Sequence, residues 1–527
     1  MKKHLFWIAS IALGAVACTD KEMAPEDVAT PGGSETEQAA PSTSPMNHVS
    51  LASFAGNQGR VTAFAGTRDE ELKPGELRLI AEIENPSKSQ TGVAGFVPED
   101  GGRYLSATCV YYNEDTGKYY VTYHMQGNNY NTQLDTDVAG FIETFTIGDD
   151  GKIHLENIYR ASNPSELDFD FNHLYFDRRK DHGDVRMEDY DQRLIAVGHL
   201  VKPTSTGKQD TQAIIGNLNL DNNTFDYKVV YTGEKILDEN GKSLGKVDAQ
   251  DVNAVVRSYD TYYLATRKGI ALLRATADDL FDASLDYDKK NYFVKTPGSV
   301  KHVVRCGNDE SRISFLYLEK DFPNNFQYND AINAKYVEFS ISNLQAQFID
   351  PEFDGKSFGF LGGSKVMQYI DSENFLTYTN KAIDIKKPVS PIDGKNVLFY
   401  KDSEVYAALG TGGLFYSQYS MGENIIDYLG FGNRPVNGIF VDEGKDKELH
   451  NGFIYVCNGS KLSIFNRSRH DEVASWNLPN KADGSANYVT VRRDTEYNQF
   501  GTYDRIITVA FGQEGVKVFR FSPKNIY

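Results

Sequence analysis

The feature that most constrains this chain is repetition. Four stretches read alike: "VNAVVRSYDTYYLATRKGIALLRAT" (252–276), "NVLFYKDSEVYAALGTGGLFYSQYS" (396–420), "GFIYVCNGSKLSIFNRS" (452–468) and "NYVTVRRDTEYNQFGTYDRIITVAFGQEGVKVFRF" (487–521). Each has an apolar strand ending in a small residue, a tight turn with Gly or Lys-Gly, and a second alternating strand. Alternation with a period of two marks strands with one face buried. The plan recurs elsewhere with longer loops. "SATCVYYNEDTGKYYVTYH" and "FIETFTIGDDGKIHLENIYRA" form one unit, and its turns "NEDTGK" and "GDDGK" are hairpin signals. "HLYFDRR", "RLIAVGHL" and "AIIGNLNLDNNTFDYKVVYTG" form a second, and "KHVVRCGNDESRISFLYLEK" with "KYVEFSISN" another. In order, units begin near residues 105, 172, 250, 300, 394, 436 and 486.

Four-stranded meanders repeated in this way are the signature of a β-propeller. One unit cannot cover both faces of its own sheet, whereas a ring of units can. The expectation is an all-β fold, a seven-bladed β-propeller over residues 76–527. Residues 356–390 are the awkward stretch. "SKVMQYIDSENFLTYTNKAIDIKK" aligns with three strands of a unit, but no fourth fits before "GKNVLFYKD". It reads as an insertion or a distorted blade, with eight blades as the alternative; two separate β-sandwiches are the other architecture. The final unit supplies only three strands, and an exposed edge invites aggregation. A matching run, "ELRLIAEIE" (76–84), stands alone upstream and is expected to lock first to last.

The N-terminus reads as an address. "MKKHLFWIASIALGAVACTDKE" has Lys2 and Lys3, an apolar run too short to span a bilayer, then small residues before Cys18. Residues 1–17 therefore read as a signal peptide. "AVAC" resembles a lipobox, with Ala15 where Leu is usual, and the resemblance implies lipidation of Cys18. A plain secretory signal is the alternative. "TDKE" resembles the export tag of Bacteroidota surface lipoproteins, which implies an outer-membrane location facing the cell exterior. Residues 18–75 are rich in Pro, Ser, Thr, Glu and Gly and read as a disordered tether. A small second domain around "MNHVSLASFAGNQGRVTAFAG" is the other reading.

Charge removes whole classes of partner. Of 55 bases, loss of Lys2 and Lys3 leaves 53 against 73 acids, a balance of −20. Nucleic acid and anionic lipid both need basic surface, so neither is expected. The membrane is a partner through the lipid alone. Cys109, Cys306 and Cys457 lie far apart inside β-like runs and read as buried free thiols.

The glycine-turn strand pairs resemble LVIVD and YncE-like propeller repeats, which many Bacteroidota surface lipoproteins carry. The resemblance spans about residues 77–522 and speaks to architecture. One such family captures vitamin B12, but no residue motif here carries that activity over. There is no Asp-box, G-x-S-x-G, H-E-x-x-H or P-loop, and Trp476 is the lone Trp after the signal. No cofactor is expected. "LDFDFNHLYFD" places Asp168, Asp170 and Asn172 on one face if it is a strand, a weak metal candidate beside a polar-loop reading. "LDENGK" reads as a hairpin turn rather than a calcium loop.

Loops between the second and third strands gather at one mouth of a propeller. Four are tight: "TRKG", "GTGG", "NGS" and "GQEG". Three are long: 124–137, 200–210 and 318–333. Two of the long loops are dense in amides and aromatics, which suit recognition. The candidates are Tyr123, His124, Gln126, Asn128, Asn129, Tyr130, Phe322, Asn325, Phe326 and Tyr328, with Arg267 and Lys268 placed to meet an anion. The leading expectation is a binding protein for a small molecule, a glycan or an envelope partner such as an outer-membrane transporter. The alternatives are an extracellular glycan-active hydrolase or lyase, and a structural envelope scaffold.

Overall fold

The computed structural model describes residues 46–523 apart from 65–70, 87–102, 128–139, 163–167, 179–191, 204–208, 238–242, 275–291, 319–331, 341–370, 377–380, 390–397, 443–451, 480–484, 498–501 and isolated shorter gaps. Among these residues the structure is all-β, with a 3-10 turn at Gln58–Arg60. No helix among the described residues is long and apolar enough to cross a membrane.

The strands pair antiparallel in chain order. Meander 1 is Arg103–Asn113, Lys118–Gly127, Phe141–Ile147 and Ile153–Ala161. Meander 2 is Asp168–Arg178, Gln192–Pro203, Gln209–Asn219 and Thr224–Val229. Meander 3 runs from Val252–Ser258 through Thr261–Thr266 and Gly269–Arg274 to Tyr292–Lys295. Meander 4 is Val300–Cys306, Asp309–Leu318, Ile332–Ser340 and Lys381–Val389. The last of these comes from the awkward stretch, which thus supplies an ordinary fourth strand. Meander 5 is Leu398–Lys401, Glu404–Ala408, Leu414–Ser420 and Glu423–Leu429, and meander 6 is Val436–Val441, Phe453–Asn458, Lys461–Asn466 and Glu472–Asn477. Between meanders 2 and 3, Tyr231–Leu237 pairs with Ser243–Asp248, so "LDENGK" does join a hairpin.

The closing sheet is built from both ends of the chain. Tyr488–Tyr497, Tyr503–Ala510 and Val516–Phe521 take Leu77–Ile83 as their fourth strand, in the register Leu77 to Phe521 through Ile83 to Val516. Gly515 permits this. Its φ is +73°, and a Cβ there would stand 2.1 Å from the Ile83 carbonyl oxygen.

Apolar side chains from facing sheets fill the space between neighbours. Ile83, Val110, Phe145 and Val516 join the closing sheet to meander 1. Phe169, Phe171, Ile142 and Phe225 join meanders 1 and 2. Similar cores join 2 to 3, 3 to 4, 5 to 6, and 6 to the closing sheet. The first strands also lie side by side: each touches the first strand of the next sheet, from Arg103–Asn113 onward, and Tyr488–Tyr497 returns to Arg103–Asn113.

A repeated device fixes these first strands. Their pairing skips one residue at Thr108, Asn172, Asn253, Lys301 and Asn437. A bulge of this kind re-aims the skipped side chain. Three of them are Asn, and each donates its amide to the next sheet: Asn172 to Val252 O at 3.0 Å, Asn253 to Val300 O at 2.6 Å, Asn437 to Ala486 O at 3.2 Å. Asn487 does the same across the seam, to Ala107 O at 3.0 Å.

Order begins earlier than the sequence reading expects. Residues 47–63, assigned to the tether, form a strap. Asn47–Ala55 pairs through residues 47–50 with Thr224–Val229, and through 51–55 with Ile153–Ala161. It thereby joins the outer edges of meanders 1 and 2 into a nine-stranded, nearly closed sheet. Val61–Ala63 then pairs outside Leu77–Ile83. Between them Arg60 reaches into the core, where its guanidinium pairs with the fully buried Glu143 and donates to Glu84 O at 2.6 Å.

Candidate functional site

The tight turns between second and third strands come to one end of the sheets. Gly410 bridges to Val436, Ala486 N donates to Gly459 O at 2.7 Å, and Gly512 bridges to Ala107. Each turn therefore sits beside the start of the next first strand. Arg267 belongs to this end: it is exposed, and its amide donates to Asp251 O at 3.0 Å. Lys268 is half-buried, its amide bonded to Thr266 Oγ1 at 3.2 Å.

The other candidates fare differently. Tyr123 is a core residue, with no exposed surface, and its hydroxyl donates to Glu143 at 2.8 Å. Burial pushes its phenol up to about 12, partly offset by Arg60. It is withdrawn as a ligand contact, because strand alternation turns it inward. His124 and Gln126 lie in the same strand, paired with Ser106 and Tyr104. Asn128, Asn129, Tyr130, Phe322, Asn325, Phe326 and Tyr328 lie outside the described residues.

The metal candidate divides. Asp168, Asp170 and Asn172 all fall in Asp168–Arg178, as expected. The bulge at Asn172 then commits its amide nitrogen to Asp251 Oδ1 at 2.6 Å, a clamp between sheets. Asp170 faces His199 Nε2 at 3.9 Å, and His199 Nδ1 faces Asp251 Oδ1 at 3.2 Å. Among the described residues no group of three or more His, Cys, Asp or Glu is arranged to hold a metal ion. Cys109 and Cys457 are buried free thiols, as expected.

A second site, at the opposite end, escaped the sequence reading. The hairpin turn of meander 1 after Asn113 and the turn of meander 2 after Asn219 flank a cavity of about 560 Å³. Its lining includes Lys118, Tyr120, Thr144 and Tyr159 from meander 1, and Phe176, Arg193, Asn217 and Asp221 from meander 2 or the turn that follows Asn219. The Tyr120 and Phe176 rings lie 5.2 Å apart, tilted by 58°. Alternation explains the set: Lys118 and Tyr120 share one face of a strand, Asn217 and Asn219 one face of another. Lys118 Nζ meets Glu156 at 3.0 Å, and Asn157 donates to the Tyr159 hydroxyl at 3.2 Å. Burial pushes the Tyr120 phenol up, while hydrogen bonding to Thr116 and the charge of Lys118 pull it back. The phenol stays neutral and keeps a proton to donate. "GNLNLDNN" carried the signal, but nothing in it says that meander 1 lies opposite.

No protein-family model matches the sequence, and no curated protein matches it. Among solved structures, the crystal structure of Chaetomium thermophilum Raptor is similar at a TM-score of 0.39 and 8% identity, over 81% of this chain and 30% of that one. This chain spans about 30% of that protein's length, and a likeness at that score fixes neither fold nor function.

Proposed function

We propose that the chain is a surface lipoprotein: a seven-bladed β-propeller, anchored in the outer membrane through lipidated Cys18, that captures an extracellular ligand or partner. The observation that carries the propeller is the cycle of first strands, each beside the next and the last beside the first. Lys381–Val389 acts as the fourth strand of meander 4, which favours seven blades over eight. A ring closed at Leu77–Ile83 is a rigid platform, and loops on rigid platforms are where recognition concentrates. The LVIVD/YncE-like resemblance and the Bacteroidota-type export tag support the same reading. Labelled palmitate should enter the wild-type chain and not Cys18→Ala, and protease added to whole cells should cleave it. Label retained in Cys18→Ala would sink the anchor. For the mouth, Tyr130→Ala with Phe326→Ala should abolish capture without changing the circular dichroism spectrum; unchanged capture would remove those loops as the site.

A second reading, a glycan-active hydrolase or lyase, is favoured by one arrangement. His199 stands between Asp251 and Asp170 at the mouth, the grouping an acid–base catalyst uses. Release of sugar products from extracellular polysaccharides, lost in His199→Gln, would select it.

A further inference from the structure

We infer that the cavity between meanders 1 and 2 is a binding site for a neutral oligosaccharide. This rests on the reading of the chain as a capture protein and adds a location and a ligand class.

Size comes first. About 560 Å³ lies within the roughly 300–1,000 Å³ of small-ligand sites. The lining then narrows the chemistry. Half-buried Phe176 offers ring surface on which the apolar face of a sugar can lie, backed by the ring of Tyr120, which is 7% exposed. Asn217 on the meander 2 wall and the Tyr159 hydroxyl on the meander 1 wall offer donors and acceptors to sugar hydroxyls, and Asn219, whose Oδ1 already accepts from Asn222 N at 3.0 Å, adds its amide nitrogen as a donor. The charge balance argues against a strongly anionic ligand. Lys118 is already met by Glu156, and the cation Arg193 shares the wall with the anion Asp221. The chain as a whole carries −18, which repels anions at a distance.

The strap distinguishes this gap. Asn47–Ala55 bonds both outer edges: Leu51 N donates to Asn223 O at 2.7 Å, next to the turn that walls the cavity, and Ser53 pairs with Tyr159 in its lining. The spacing of the two walls is thereby fixed from outside. A preformed cleft of fixed width loses less entropy on binding than one that must be assembled.

The test uses the full chain in detergent on an array of neutral, uronic-acid and sulfated oligosaccharides. Wild type should retain at least one neutral member. Asn217→Ala with Tyr120→Phe should weaken that binding about tenfold or more at an unchanged melting temperature. Should the double variant fail to fold, Asn217→Ser reports on the same wall. Retention confined to charged members overturns the neutral assignment. Neutral binding that survives the cavity variants but is lost in Tyr130→Ala with Phe326→Ala overturns the cavity and leaves the capture reading standing. No binding to any member overturns the oligosaccharide assignment, while capture of an envelope protein would keep the broader reading alive.

Discussion

Asn487 reaches across the seam where the chain meets itself. Its amide nitrogen donates to Ala107 O, and its Oδ1 accepts from Ser485. The Ala107 carbonyl keeps Gly512 N as a donor at 3.2 Å, so Asn487→Ala removes one buried hydrogen bond and should cost about 0.5–1.5 kcal/mol, read as a lower urea midpoint. Asn437→Ala should cost a similar amount, and because Asn437 donates to Ser485 Oγ, which donates in turn to Asn487 Oδ1, the two effects should depart from simple addition in the double variant. Glu143 behaves otherwise. It is fully buried against Arg60 and Tyr123, so Arg60→Met alone strands a carboxylate and should cost about 3–5 kcal/mol. Adding Glu143→Leu should recover most of that loss; a double variant as weak as the single one would refute the pairing as the cause. Cys457 makes a chemical prediction. Burial pushes its thiol far up, so iodoacetamide at pH 8 should label it only after unfolding.

At the level of elements, the strand Leu77–Ile83 and the strap do different work. Deleting residues 76–84 exposes Val516–Phe521 along its length and should remove most of the stability; an unchanged melting temperature would disprove closure. Gly515→Ala should imitate this in part, since the added methyl meets the Ile83 carbonyl. The hairpins were legible because alternation and Gly turns are local signals, and the closure because a final unit one strand short and a lone matching strand upstream complete each other. The strap was not. "NHVSLASFA" alternates, but its neighbours are the Pro- and Ser-rich residues of the tether, and its partners lie more than 100 residues away. The first-strand bulges were equally hidden. A skipped residue shows only in the pairing, so Asn172 read as a possible ligand rather than a clamp.

For the molecule as a whole, the repeat announced an all-β chain of antiparallel meanders, whereas the sites depend on which repeats become neighbours. The cavity takes one wall from residues near 118 and the other from residues near 219. Each wall looks like turn chemistry until the sheets are set side by side. Tyr123 failed for the converse reason: a residue beside a long loop was read as part of it, while its strand turned it into the core. The strap also has a mechanical meaning. Any pull on the N-terminal segment arrives first at Asn47 and its partner Tyr227, then passes along the bridging strand before it reaches Arg60 and the closing strand. Force would thus strip the seal over meanders 1 and 2 before it opened the seam. Such a chain yields in stages, and in single-molecule extension the first event should release only the strap, at a lower force than the unravelling of the sheets.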